Sequence, residues 1–345
     1  MASSSSTSSS ESRGLRALGL GPLAGVLVGT FGLLEAGVTL AYDAPSPMVD
    51  KATGYAATAD GSTRDVLVVG TCLAEQIIDP AQLGRQLGTD VVVHDLSTPA
   101  GSVLLWTLAL KNHVPDDADV ALVLLPYGES DLRTRMNPWE SQVMDLAGWA
   151  DLPLLSELSC EDAGCNSELL LRKASRAFRY RGYLANWFWH ALGTKSLSRV
   201  AGQDSLTQAR AGGRQLEPGT ATAGLGWQSG QPSAAPGGDE IRFDDLQVLL
   251  DLAQERDWPL LFTDLPMRPE QRDAYWLQQR AQAREATAEF VHGGGGVHRS
   301  MAEVPGLERD HFTDEVHVSM EGGRLITTQL ARLARQVLSD ADGGE

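Results

Sequence analysis

Asp65-Val-Leu-Val-Val-Gly-Thr-Cys-Leu-Ala-Glu-Gln76 is the stretch on which the reading of the chain turns. Val66, Leu67, Val68 and Val69 form an uninterrupted apolar run, three of the four β-branched, as a strand buried on both faces requires. Gly70 ends the run and lets the backbone turn without a Cβ clash. Cys72 then stands at the strand tip, ahead of a helix-compatible segment, Leu73-Ala-Glu-Gln-Ile-Ile78. A nucleophile in that place faces the crevice at the carboxyl end of a parallel sheet, near the backbone N–H groups of a helix start.

Working outward, Val91–Leu96 reads as a second strand, followed by the turn Pro99-Ala-Gly101 and an apolar helix over Ser102–His113. Asp119–Pro126 is a third strand, and Trp258–Thr263 a fourth that ends in Asp264. Phe243–Asp257 repeats Leu246, Leu249, Leu250 and Ala253 at helical spacing, a further helix spans about 270–288, and a last one runs from about Ser319 to Leu338. Glu289–His292 reads as a short fifth strand before Gly293–Gly296. Alternating strands and helices predict an α/β fold, a flavodoxin-like three-layer α/β/α sandwich around a parallel sheet.

The flanks and the middle have other compositions. Residues 1–16 open with a Ser-rich tail that has nothing to bury. Residues 17–42 are mostly apolar with Glu35 as the one charge, long enough to span a bilayer as a single N-terminal transmembrane helix. Arg13 and Arg16 precede the stretch, and Asp43 and Asp50 follow it. By the positive-inside rule the N-terminus stays cytoplasmic and the C-terminal domain lies outside the cytoplasm, periplasmic or at the cell surface. A cleaved signal peptide with a site near Thr39-Leu-Ala41 is the alternative. Glu35 is expected near the outer interface, or else facing a partner helix. Residues 43–64 read as an extended juxtamembrane linker, 65–338 as the domain with a variable insertion at about 140–240, and 339–345 as a tail. Within the insertion, 169–192 reads as a helix mixing arginines with aromatics; packing those aromatics on the core is the expectation, a membrane surface or cleft lining the alternative. Residues 201–240 are rich in Gly, Ser, Gln, Pro and Ala, as flexible insertions are.

Charge and cysteines narrow the function. With 45 acidic against 28 basic residues the net charge is −17, which argues against nucleic-acid binding. Cys160 and Cys165 sit in a polar loop and could close a small disulfide ring, which would persist only in an oxidising compartment. Cys72 is then left over. No Cys or His pairs fall at zinc-finger spacing, and the His292–His298 glycine loop would orient two ligands poorly with no third in view. Gly70-Thr-Cys has neither P-loop nor dinucleotide spacing, so the sequence implies no cofactor and no metal. Asp131 reads as a turn or cap residue, and Asp264 faces the crevice end of its strand.

Asp314 and His317 stand three apart just before the last helix, a spacing at which a carboxylate can hold an imidazole whose other nitrogen faces a nucleophile. With these residues in place the chain resembles the SGNH (GDSL-like) hydrolases and their membrane-anchored acyltransferase relatives, over roughly 65–131 and 258–337. Gly70-Thr71-Cys72 matches the first block, with Cys72 at the position of the nucleophilic serine. Gly101 in Ser97-Thr-Pro-Ala-Gly101 matches the oxyanion-hole glycine. Gly128-Glu-Ser-Asp131 matches the third block, with Ser130 in place of the oxyanion asparagine, and Asp314-Glu-Val-His317 matches the last. The resemblance implies a Cys72/His317/Asp314 site with an oxyanion hole from Cys72, Gly101 and Ser130. It implies an acyl hydrolase or O-acyltransferase acting on an acyl ester, such as that of a cell-envelope glycan, beside a multispan membrane acyltransferase. The alternative is a binding or scaffold protein of the cell envelope that kept the fold and lost the chemistry.

Overall fold

Apolar runs without alternation need cover on both sides, and the arrangement of the chain provides it. The computed structural model describes residues 20–41, 47–58, 63–99, 101–133, 141–160, 163–181, 241–268, 274–314 and 316–342. Strands β1 (Arg64–Val68), β2 (Val91–Asp95), β3 (Val120–Tyr127), β4 (Leu260–Asp264) and β5 (Val297–Ser300) form one sheet in the order β2-β1-β3-β4-β5. Every pairing in it is parallel. Side chains alternate between two cores: Leu67, Val69, Val123 and Leu125 enter one, Val66, Val68, Leu122 and Leu124 the other.

The first core is closed by α2 (Pro47–Thr58), α5 (Val103–His113), α11 (Phe243–Glu255) and the end of α12 (Ala274–Gly293), with Trp106 and Phe262 fully buried in it. The second is closed by α3 (Cys72–Ile77), α4 (Pro80–Leu87) and α13 (Met320–Asp342), through Ile77, Leu83, Ile326, Leu330 and Ala334. The chain thus leaves β1 over one face of the sheet and reaches β3 over the other. That reversal opens a crevice at the carboxyl ends of β1 and β3, where ligands of open α/β sheets bind.

Between β3 and β4 lie α6 (Glu129–Arg133), α7 (Ser141–Leu146), a 3₁₀ turn at Trp149–Asp151, α8 (Leu152–Ser159), α9 (Ala163–Ala174) and α10 (Arg176–Arg179). Val143, Met144, Leu155 and Leu169 bury into the first core, so this described part of the expected insertion is built onto the body of the domain. Buried Asp151 fastens it, accepting hydrogen bonds from Lys111 Nζ and Asn112 Nδ2, each at 2.7 Å, and from the Gly148 N–H at 2.6 Å. Burial raises the Asp151 carboxyl, but Lys111, Asn112 and Gly148 outweigh it and hold it below the ordinary carboxylate range. A disulfide joins Cys160 to Cys165, closing the loop between α8 and α9.

Several elements differ from the sequence expectations. Residues 47–58, inside the expected extended linker, form α2, because Met48, Ala52 and Tyr55 recur on one helix face and bury completely or nearly so. Tyr55 Oη donates to Asp65 Oδ2 at 3.0 Å and ties that helix to β1. Glu289–His292 is the last turn of α12 and not a strand: the Gly294 and Gly296 N–H groups bond back to the Phe290 and Val291 carbonyls, and Gly295 takes a positive φ of 79°. The fifth strand follows that turn. The helix expected over 169–192 breaks at Ser175, whose hydroxyl caps α10; residues 182–240 lie outside the described ones. The last helix runs on to Asp342, into the expected tail.

The apolar stretch 17–42 is described in part, as α1 (Leu20–Ala41) with side chains described over 28–40; residues 1–19 and 42 lie outside the described ones. Among the described residues no helix is long and apolar enough to cross a membrane. Glu35 is turned toward α10. Its carboxylate accepts Ser175 Oγ at 2.8 Å and the Arg176 and Ala177 N–H groups at 2.6 and 2.9 Å, with Val38 packed on Ala177 and Tyr180.

Candidate active site

The turns after β1, β2 and β3 meet at the crevice, and a fourth segment lies on the loop ahead of α13, the helix that packs on α3. The first is the turn after β1. A Cβ on Gly70 would lie 2.5 Å from Ala74 Cβ and 3.3 Å from the Pro126 carbonyl, so only glycine admits this approach. Thr71 caps α3: its hydroxyl accepts the Leu73 N–H at 3.4 Å and donates to Asp131 Oδ2 at 3.1 Å. Cys72 opens α3 half-buried and is the thiol outside the disulfide.

The second segment is the turn after β2. The Gly70 carbonyl accepts the Thr98 N–H at 3.0 Å and Trp106 Nε1 at 3.1 Å. Gly101 fills the remaining space beside it; a Cβ there would meet Trp106 Nε1 at 2.4 Å and the Gly70 carbonyl at 3.1 Å. The sequence-predicted oxyanion glycine therefore does lie against the turn that carries Cys72. Its N–H, however, donates to the Thr98 carbonyl at 3.1 Å, a turn bond that an incoming oxyanion would have to share.

After β3, Gly128 is followed by α6. Asp131 is buried, and its Oδ2 takes the Gly128 N–H at 2.8 Å as well as the Thr71 hydroxyl. More than a local cap, it locks the third block of the sequence to the turn that carries Cys72. Ser130 lies in α6, and its side chain is outside the described residues.

The fourth segment precedes α13. Asp314 Oδ1 accepts the Val316 and His317 N–H groups at 2.9 and 2.8 Å, and Oδ2 meets His317 Nδ1 at 2.7 Å. The Thr313 N–H donates to the His317 carbonyl at 2.9 Å, and Phe312 bridges Val318. Partial burial raises the Asp314 carboxyl, but the two backbone N–H groups and the imidazole outweigh it and hold it below its ordinary 3.8. An ionised carboxylate at Nδ1 fixes the proton there and leaves Nε2 as the acceptor, the arrangement a general base needs. α13 then packs on α3: a Cβ on Gly323 would lie 2.9 Å from the Ile77 carbonyl, and Thr327 Oγ1 donates to that same carbonyl at 3.2 Å.

One cross-link beside these turns escapes a reading by motif. Lys51 of α2 donates to Asp95 Oδ2 at 2.9 Å, to Glu75 Oε1 of α3 at 3.0 Å and to the Ser97 carbonyl. Burial lowers its ammonium, yet Asp95 and Glu75 outweigh burial and keep it charged. It spans both turns that flank the crevice. Its helical spacing with Tyr55 was the available signal.

The other polar groups at the strand ends are structural. Tyr127 Oη lies 2.9 Å from His298 Nε2, and burial first, with Asp264 second, drives its hydroxyl far above the ordinary range. Asp264 accepts the Met301 N–H at 3.0 Å and pairs with Arg284 at 3.5 Å. His298 is buried and its N–H donates to His292 Nε2, so these two histidines serve the fold. No cluster of metal-ligating side chains occurs among the described residues. A cavity of about 200 Å³ lies at the opposite end of the sheet between Pro259 and Gly294–Gly296.

No family model matches this chain, and no curated protein does. Solved structures are similar to it at low identity. One is a platelet activating factor candidate from Streptococcus pneumonia, 11% identical over 91% of this chain and 99% of that one, with a TM-score of 0.42. A lipase/acylhydrolase from Enterococcus faecalis is 10% identical over 79% and 96%, with a TM-score of 0.38. A GDSL-like lipase from Bacteroides thetaiotaomicron is 11% identical over 85% and 98%, with a TM-score of 0.37. Overlaps this partial leave the chemistry to be read from the chain's own side chains.

Proposed function

We propose that this protein is an SGNH-type acyl hydrolase or O-acyltransferase that works through a covalent thioester on Cys72. The observation that carries this reading is the Asp314–His317 pair, 2.7 Å apart at Nδ1, on the loop ahead of a helix that packs on the nucleophile helix. His317 Nε2 takes the Cys72 proton as sulfur attacks an ester carbonyl. The tetrahedral oxyanion is held by the N–H groups of Cys72 and Gly101 with Ser130. The intermediate collapses to an acyl-thioester as His317 returns the proton to the leaving alcohol, and water or an acceptor hydroxyl then takes the acyl group. Residues 17–42 anchor the enzyme with the N-terminus cytoplasmic, which places the domain in the oxidising compartment that the Cys160–Cys165 bridge requires. A cell-envelope glycan ester suits that location, and a multispan acyltransferase is the corresponding donor partner.

A specific observation favours the binding-module alternative: the Gly101 N–H is committed to Thr98. The loss of an oxyanion donor costs on the order of a hundredfold or more in rate. A p-nitrophenyl acetate burst assay with intact-mass detection separates the two readings. Acetyl adds to wild type, is absent from Cys72→Ala and is slowed in His317→Ala if the thioester forms. Inert wild type beside an active Cys72→Ser marks a disabled serine-type site. Should all variants be inert, the crevice is a binding site.

A further inference from the structure

The protein is strongly acidic, at −17, but one surface segment is not. Residues 163–181 carry Arg172, Lys173, Arg176, Arg179 and Arg181 against Glu168 as their one acidic residue. The same segment turns apolar side chains outward. Leu169 is buried in the core, whereas Leu170 and Leu171 on α9 are 53% and 51% exposed. Trp149 is 60% exposed and stands two residues beyond the Ala147 carbonyl that Lys173 caps. Of the basic side chains, Arg181 is 45% exposed while Arg172 and Arg179 are 16% and 8% exposed; an exposed arginine beside leucines and a tryptophan is a composition found where a surface lies at a membrane interface.

The attachment of α1 gives this surface a depth. Glu35 caps α10 through three hydrogen bonds, and Val38 packs on Ala177 and Tyr180. Glu35 lies six residues before Ala41, the end of α1, which is about 9 Å along a helix axis. A headgroup layer is about 5–8 Å thick on each side of the hydrocarbon. With Ala41 at the solvent side of the headgroups, the clasp sets α10 at their inner, acyl boundary, with Val28, Phe31, Leu33 and Leu34 of α1 exposed farther toward its N-terminal end.

We propose that residues 163–181 are a docking surface for an anionic lipid bilayer, held at headgroup depth by the Glu35 clasp, with Leu170 and Leu171 entering the acyl boundary. This depth rests on the reading of α1 as the anchor. The docked face would hold the crevice at a fixed height and tilt over the membrane, where a tether alone would leave it free to swing. Arg172 and Arg181 share Glu168 and keep one net positive charge, while Arg179 is balanced by Asp145, so the attraction to phosphate headgroups is modest and weakens with salt.

The test uses full-length protein in phosphatidylcholine vesicles with and without phosphatidylglycerol. Single Leu170→Cys, Val28→Cys and Leu277→Cys variants in a Cys72→Ala background carry an environment-sensitive fluorophore, and the vesicles contain spin-labelled lipid. The proposal expects the label at 170 to lose most of its emission in anionic vesicles, less so at high salt or with Arg176→Glu and Arg181→Glu combined. The label at 277, on exposed α12, keeps its emission. An unquenched label at 170 beside a quenched one at 28 overturns the docking surface and leaves the anchor. Quenching at neither position overturns both, while quenching at 170 alone upholds the surface and removes the span. Equal quenching with and without phosphatidylglycerol overturns headgroup recognition. A blue-shifted but unquenched label at 170 identifies a second copy of the chain as the occupant and overturns the lipid.

Discussion

The two halves of the candidate site are held in opposite ways. The turn that carries Cys72 is fixed from far along the chain: Thr71 by Asp131, 60 residues on, and the Gly70 carbonyl by Trp106, 36 residues on. The base loop is half-exposed and holds itself, through an Asp314–His317 contact spanning three residues. Long-range fixation makes a turn part of the folding unit, so damage there is paid in stability. A loop that closes on itself can lose its chemistry while the fold stands. The contrast yields variants that separate activity from stability.

The largest effect is expected in the base loop and in rate alone. His317→Ala should slow acylation by about 10²–10⁴-fold, the usual contribution of a positioned general base. The imidazole is partly exposed, so the melting temperature should stay close to wild type. Stopped-flow acylation and calorimetry on one preparation check both halves; a large loss of stability would break the contrast. Next comes Thr71→Val, which removes the α3 cap and the hydrogen bond to a buried carboxylate. A cap is worth about 1 kcal/mol and a bond to a charged group about 1.5–3 kcal/mol, so a cost of about 2.5–4 kcal/mol is expected in denaturant melts. Thr71→Ser should recover most of it, since the hydroxyl is what both bonds use. Gly101→Ala comes third. Its Cβ must displace Trp106 from the Gly70 carbonyl, and overpacking of this kind costs about 1–3 kcal/mol. A neutral result would mean that the β2 turn is looser than its contacts imply.

The same division explains what was legible in the sequence. Sheet strands announce themselves by apolar runs, and β1, β3 and β4 lie within a residue or two of where Val66–Val69, Leu122–Leu125 and Leu260–Phe262 put them. The Asp314–His317 pairing was legible because both partners fit in one turn. Asp131 was read as a local cap since no periodicity links it to Thr71; only the parallel pairing of β1 and β3 brings them together. Glu289–His292 misled because an aromatic and a β-branched residue end a helix there, and the glycines that stop it act on backbone geometry. Helix α2 was missed although Met48, Ala52 and Tyr55 fall at helical spacing behind a proline suited to a first turn. Two prolines and two glycines between residues 43 and 64 give the stretch a linker's composition, and burial of that helix face overrides it in the fold.

The smallest effect sharpens the contrast from the acid side. Asp314 has a depressed carboxyl because it is an acceptor for two backbone N–H groups and the imidazole at once. A group depressed in the folded state contributes stability that is present above its unfolded value and lost as pH falls through its folded one. The loop should therefore keep its closure across neutral and mildly acidic pH and open only below 3.8, the ordinary value for this side chain. The carboxylate is half-exposed, so solvent screening keeps the energy small and local. An NMR titration of the Asp314 side-chain carboxyl carbon reads the midpoint directly. A midpoint below 3.8, with the Val316 and His317 amides shifting in step, is the expected outcome. A midpoint at or above it would mean that the loop does not hold itself, and that His317 is oriented by the crevice and not by Asp314. In that event Asp314→Asn should leave the acylation rate nearly unchanged, where a self-held loop predicts a loss that follows His317.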